Sequence, residues 1–158
     1  MGQKTHPVGF RLQMNKNWKS TWFTENSFAT ELESDVKIRK YLKARLPNAG
    51  ISKVDISRTS KNITITIHTA RPGIVIGKGG EEVNRLKDEV KQLTNDTSTS
   101  NKNSKSVQIN ISEIKRPELD AALVGANIAH QLQKKVSYRR IVSKVIQSTM
   151  RMGAEGIR

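Results

Sequence analysis

Residues Val75-Ile76-Gly77-Lys78-Gly79-Gly80-Glu81-Glu82-Val83 constrain the fold more than any other stretch of the chain, reading V-I-G-x-x-G-x-x-V. The pattern is an apolar turn, a Gly-x-x-Gly loop and the start of a helix. Glycines beside a short loop let another backbone approach closely, because no Cβ stands in the way. The first N–H groups of the following helix have no partner inside it, and they form a seat for phosphate oxygens. Two other glycine-rich phosphate loops fit badly. A P-loop needs G-x-x-x-x-G-K-[ST], but Gly73 to Gly77 is one residue too short and Gly79 stands where the metal-binding hydroxyl belongs. A dinucleotide fingerprint needs a third glycine, and Gly77-Lys78-Gly79 is followed by Gly80, Glu81 and Glu82.

A bare G-x-x-G by itself favours an ordinary glycine-ended turn. The preceding apolar pair, Lys78 inside the loop and the long amphipathic helix after it shift the reading toward a KH module. That module clamps about four nucleotides of single-stranded RNA. Charge agrees with a polyanionic partner: 28 Lys+Arg face 14 Asp+Glu, giving a net charge of +14 and a pI near 10.3. No apolar run approaches the roughly 20 residues of a membrane span. The basic N-terminus has no apolar core of a secretory signal, and Gly2 lacks the Ser/Thr of a myristoylation site. There is no cysteine, which excludes disulfides and thiolate metal sites and fits a reducing compartment. At 158 residues the chain suits one domain with appendages.

Residues 1–20 carry Lys4, Arg11, Lys16 and Lys19 without an acid, and Pro7 and Gly9 break any periodicity. They are expected to form an extended basic arm that is ordered on phosphates. Trp18, Trp22 and Phe23 follow, and packing of this cluster on the domain is favoured over base stacking. From Ser27 to Leu46 the spacing of Phe28, Leu32, Val36, Ile38, Leu42 and Leu46 is helical, with a second segment expected to start at Ser34-Asp35. Val54 and Ile56, then Ile63, Ile65 and Ile67, alternate with polar residues around a Thr59–Asn62 turn, which makes a hairpin. Arg71-Pro72-Gly73 opens a short helical turn before the signature loop. In the next helix Val83, Leu86, Val90 and Leu93 share a side. Thr94 to Ser106 is polar and low in complexity, hence a flexible loop. Val107, Ile109 and Ile111 make a third strand. Strands with one apolar face, covered by helices on one side, give an α+β sandwich.

Arg116-Pro117-Glu118 starts a helix with Leu119, Ala122, Ala126, Ala129, Leu132 and Val136 along one face. The last helix, about Ser137 to Met152, is expected to bury Tyr138, Ile141, Val142, Val145, Thr149 and Met152. Arg140, Lys144, Gln147 and Arg151 line its other side. No acid lies between Ser137 and Met152, whereas a solvated helix face normally mixes signs, so the stripe points to phosphate contact. Catalytic motifs are missing. His6, His68 and His130 are scattered, and neither H-x-x-x-H nor G-x-S-x-G occurs. The expectation is no enzyme, no metal and no cofactor.

Several segments together resemble the bacterial-type small-ribosomal-subunit protein S-three family. They are Met1–Leu12, Ser20-Thr21-Trp22-Phe23, Thr69–Lys78, Lys115–Asp120, Val136–Arg140 and Met150–Ile157. The resemblance implies an α+β fold: a type II KH domain with a three-stranded mixed sheet and helices on one face. It places the chain in the head of the subunit on small-subunit rRNA and at the channel where mRNA enters. It also implies the fourth and fifth small-subunit proteins as neighbours at that channel, and the tenth and fourteenth in the head, in a cytoplasmic or organellar ribosome. The RNA-binding residues expected are Lys4, Arg11, Lys16, Lys19, Arg71, Gly77, Lys78, Gly79, Gly80, Arg139, Arg140, Lys144 and Arg151. The family's basic patch reads R-R-x-x-K-[RK]. Arg139 and Arg140 match it, Ser143 stands at the next basic position, and Lys144 is the substitute expected one residue along. Gln13 stands where the family usually has glycine. The expected organisation is an arm at 1–20, the KH domain at 21–115 with a loop at 94–106, a helical pair at 116–152, and at 153–158 the start of a second α+β domain. The competing readings are a free-standing regulatory KH protein, a DNA-binding helix-turn-helix formed by the last two helices, and a KH domain appended to a GTPase or nuclease, for which these residues carry no catalytic motif.

Overall fold

Alternating Ile and Thr along Asn62–Thr69 makes a strand with one apolar and one polar face, and this strand (β3) organises the rest. The computed structural model describes residues 2–97 and 106–157. Along the chain run α1 (Pro7–Phe10), β1 (Ser20–Thr21), α2 (Phe28–Arg45), β2 (Ile51–Arg58), β3, α3 (Pro72–Ile76), α4 (Glu81–Thr97), β4 (Ser106–Glu113), α5 (Ala121–Gln133) and α6 (Tyr138–Arg151). The sheet order is β1-β2-β3-β4. β2 and β3 are antiparallel across the Thr59–Asn62 turn, which Thr59 N–H closes onto the Asn62 carbonyl at 2.9 Å. β3 and β4 are parallel from Asn62↔Ser106 to Thr69↔Glu113, and α3 and α4 supply the crossover that parallel pairing requires.

Period-two alternation puts Val54, Ile56, Ile63, Ile65, Ile67 and Val107 on one face, all buried under Ile38 and Leu42 of α2 and Leu86 and Val90 of α4. Val75 of α3 completes this core. Each such side chain contributes about 1.5–3 kcal/mol on full burial. The opposite face carries Lys53, Asp55, Thr64, Thr66, His68, Gln108 and Asn110, none of them buried. The sheet is mixed with its helices on one face, as expected, and β1 adds a fourth, parallel strand through Ser20↔Ile56.

Several local expectations are corrected. Ser34-Asp35 starts no new segment, because α2 is continuous and both residues are buried. The buried guanidinium of Arg58 needs an anion, and Asp35 supplies it from mid-helix at 2.5 Å. That need sets the helix register. Ser34, Asp35, Ile38 and Leu42 face inward, while Phe28, Leu32 and Val36 are exposed. The arm is not extended throughout. Pro7 opens α1, whose Gly9 N–H donates to His6 Nδ1 at 3.3 Å. Gln13 has φ 69°, a left-handed backbone that favours glycine. Of the aromatic cluster, Trp22 packs on Phe28 with ring centroids 5.4 Å apart, while Trp18 and Phe23 are exposed.

The polar stretch beginning at Thr94 is helical through Thr97. Thr94 is buried, its hydroxyl bonded back to the Val90 and Lys91 carbonyls, and Ser106 already belongs to β4. The middle of that expected loop lies outside the described residues. Leu119 belongs to a 3₁₀ turn (Pro117–Leu119), and α5 begins after Asp120, whose carboxylate accepts from Ala122 and Leu123 N–H. Leu123 is therefore the residue α5 buries, and Leu119, Leu132 and Val136 are exposed. In α6 Ile141 and Thr149 are buried and Val145 is half-buried, but Tyr138, Val142 and Met152 are exposed. The helical pair is joined to β2 where the Ser52 hydroxyl donates to Asp120 Oδ2 at 2.6 Å.

Candidate nucleic-acid interface

The signature loop has two kinds of glycine. Gly77 has φ 70° and ψ −176°, a conformation nearly confined to glycine. A Cβ there would sit 2.7 Å from Glu82 Cγ and 2.8 Å from Glu82 Cβ. Gly79 (φ 62°) and Gly80 (φ 83°) are also left-handed, yet a Cβ on either would meet nothing within 4 Å. Gly77 thus lets α3 and α4 close on each other, and Gly79 and Gly80 present bare backbone outward. Lys78 is exposed in the 3₁₀ turn between them.

The N-terminus of α4 is less open than the sequence pattern suggests. Glu81 N–H already donates to the Lys78 carbonyl. Glu82 faces Arg45 at 3.4 Å and Arg85 at 3.7 Å. The first-turn acids satisfy the helix dipole and partly offset Lys78. What remains for a ligand is mainly backbone and one lysine.

Arg71 precedes α3 at its other end, with its backbone N–H bonded to Thr69 Oγ1 at 3.1 Å and its side chain exposed. It lines a cleft shared with Pro47, Asn48, Asn127, His130 and Ser148, between the KH core and the helical pair. The arm lies elsewhere. Lys19 is tied to the edge of β2 by Ile56 N–H, which donates to its carbonyl at 2.9 Å. Lys4, Arg11 and Lys16 are exposed, and the Arg11 guanidinium donates to the Pro7 carbonyl at 3.0 Å. Because β1 and β4 are opposite edges of the sheet and α3 packs by β4, arm and loop occupy different sides of the domain.

On α6, Arg139, Arg140, Lys144 and Arg151 are all exposed. Among the described residues no acid lies within ion-pair distance of any of these four. Arg139 folds back over the Tyr138 ring, 5.8 Å from its centroid, and donates to its hydroxyl at 3.1 Å. Both lie along a shallow groove with Val142, Ser143, Ile146 and Gln147. The sequence reading missed Lys134 and Lys135. They are exposed in the turn that delivers Arg139 and Arg140, and Lys135 is left-handed at φ 60°. The Lys-Lys pair beside a predicted turn was the available signal. Two arginines in the first turn of a helix without an acid oppose the dipole, a local cost that an anion would remove.

A family profile described as KH domain matches residues 37–119, the span from α2 to the Pro117 turn. The chain belongs to the KH-domain family. Over its whole length it is 53% identical to Small ribosomal subunit protein uS3 of Cytophaga hutchinsonii, covering 59% of that protein. Identity is 51% to Small ribosomal subunit protein uS3 of Salinibacter ruber, with 63% of it covered, and 53% to that of Flavobacterium johnsoniae, with 59% covered. The resemblance drawn from the short segments thus extends over all 158 residues. The chain spans about three fifths of the length of these curated relatives.

Proposed function

We propose that the chain is a structural, RNA-binding constituent of the small ribosomal subunit. It grips rRNA in the head through phosphate contacts, and α6 meets RNA at the channel where mRNA enters. The observation that carries this reading is the end-to-end identity of 51–53% with proteins named Small ribosomal subunit protein uS3, in a chain of charge +14. The α6 patch supports it, since its cations have no acidic partner among the described residues. Arg139, Arg140, Lys144, Arg151 and the adjoining Lys134 and Lys135 neutralise backbone phosphates, contacts that position RNA without reading bases. Lys4, Arg11, Lys16 and Lys19 do the same for the arm. Gly79 and Gly80 allow close backbone approach beside Lys78, and Arg71 adds charge at the cleft. The neighbours proposed are the fourth, fifth, tenth and fourteenth small-subunit proteins, in a cytoplasmic ribosome, with no catalytic role.

The test is assembly. Tagged chain expressed in a bacterium is followed through a sucrose gradient at high magnesium. Co-sedimentation with small subunits, lost when Arg139, Arg140, Lys16 and Lys19 are replaced by alanine together, is the expected result. Recovery only at the top of the gradient would favour a free-standing KH protein and overturn the ribosomal reading.

A further inference from the structure

Asp35 is an acid buried to zero exposure in a strongly basic chain, and the proposed function does not use it. Its two oxygens are divided between two jobs. Oδ1 accepts from Arg58 Nε at 2.8 Å and Nη2 at 2.5 Å, from the end of β2. Oδ2 accepts from the Ser20 hydroxyl at 2.7 Å and the Trp22 indole N–H at 2.9 Å, both at the root of the arm. Arg39, one turn along α2, reinforces the second job by donating to Ser20 Oγ at 2.6 Å and to the Lys19 carbonyl at 2.9 Å. Glu31 holds the other side of Arg58 at 2.5 Å. β1 is only two residues long, too short to hold the arm by strand pairing alone. The root of the arm is therefore held mainly by side chains of α2, with Asp35 gripping Ser20 and Trp22 and Arg39 gripping Ser20 and the Lys19 carbonyl, beside the short β1–β2 pairing.

We propose that Asp35 is a positioning residue for RNA binding, a buried clasp that fixes the root of the arm on α2 and so presents Lys16 and Lys19 along the β1 edge in a set place. The proposal rests on the reading that the arm's cations meet RNA phosphates. Held in place, those cations bind without the ordering entropy that a loose tail would lose.

The experiment separates clasp from core. Ser20→Ala with Trp22→Phe removes both arm donors to Oδ2 and leaves the Asp35–Arg58 pair in place. Ile65→Val, a core change, controls for lost stability. Binding of purified small-subunit rRNA is measured against salt, at a temperature where all variants keep the wild-type circular dichroism. In parallel, trypsin cleavage after Lys16 and Lys19 is timed. The double variant is expected to be cut several-fold faster there. Its slope of log affinity against log salt should fall by about 1.5, from roughly 0.7–0.9 for each lost phosphate contact. The Ile65→Val control should keep both values, and Ser20→Thr, which restores a hydroxyl, should recover most of the protection. Unchanged cleavage would overturn the clasp. Faster cleavage with an unmoved slope, or an equal fall in the control, would overturn its role in RNA binding. A wild-type chain that does not bind this RNA overturns the functional reading and this proposal with it. A wild type that binds beside an unmoved variant overturns this proposal alone.

Discussion

Gly77→Ala and Gly79→Ala are the same chemical change two residues apart in one loop, and the structure assigns them different costs. At Gly79 the backbone is left-handed (φ 62°, ψ 12°) with open space around it, so alanine meets only the intrinsic penalty of about 1–2 kcal/mol. At Gly77 the pair φ 70°, ψ −176° is nearly closed to other residues and costs about 1–3 kcal/mol. The new methyl also meets Glu82 Cγ at 2.7 Å and Cβ at 2.8 Å; rotating Glu82 away from Arg45 relieves only the first contact, so α4 must shift as well. That half-exposed ion pair is worth at most about 1 kcal/mol, so helix displacement carries most of the remainder. Alanine stiffens the unfolded chain equally at both sites, and this offset cancels in the comparison. The expected difference is about 2 kcal/mol, or about 6 °C in Tm for a chain of this size. Urea and thermal unfolding followed by circular dichroism would measure it. Asparagine tolerates the left-handed region, so Gly79→Asn should recover most of the loss at 79 and Gly77→Asn nothing at 77. Glu82→Ala in the Gly77→Ala background should restore little, because the Cβ contact at 2.8 Å persists. Equal losses for the two alanine variants would refute the division of the loop into a packed glycine and an open pair.

Other expectations concern charge and burial. Arg139→Ala with Arg140→Ala should lower the salt slope of rRNA binding by about 1.5 and weaken all RNA sequences alike, as judged by filter binding; a sequence-selective loss would contradict phosphate contact. Arg58→Met strands Asp35 as a buried, uncompensated carboxylate, and chemical denaturation should show a loss of about 3–5 kcal/mol. The Tyr41 hydroxyl is raised above its ordinary 10.0 by burial and then by its hydrogen bond to Glu89, which joins α2 to α4. The folded chain keeps this proton where the unfolded chain has lost it. The contribution is therefore complete below pH 10 and disappears as pH climbs through the raised value. Tm measured across pH 9–11 should fall less steeply in Tyr41→Phe than in the wild type.

The KH fold was readable because its signals are local. Ile63, Ile65 and Ile67 declare a half-buried strand by alternation, and Val75 to Gly80 declares a turn that only glycine can make. The helices were legible, and α4 buries Leu86 and Val90 as its spacing predicts, but part of the inward face of α2 and most of that of α5 differ from the periodicity. In α2 the apolar residues Phe28, Leu32 and Val36 face solvent while Ser34 and Asp35 face the core, because Arg58, 23 residues away from Asp35 in sequence, is buried beside them. No helical periodicity records a partner at that distance. For the same reason α5 turns Leu123 inward against Gly50, just before β2, and leaves Leu132 exposed.

Of the candidate site, the cations themselves were evident, since charge is a property of composition. Their arrangement was not. Strand order separates the arm at the β1 edge from the loop near β4, and Lys134 and Lys135 stand in the turn that leads from α5 into Arg139 and Arg140. That a basic chain with one glycine loop folds as a KH domain is written in its residues, because residue type and near-neighbour spacing set charge, alternation and allowed φ. That Asp35 goes inward to hold the root of the arm, and that Gly77 of the three loop glycines is the one packed against a neighbour, follows from long-range packing. Both depend on which side chain arrives from a distant segment, and burial makes that arrival energetically decisive.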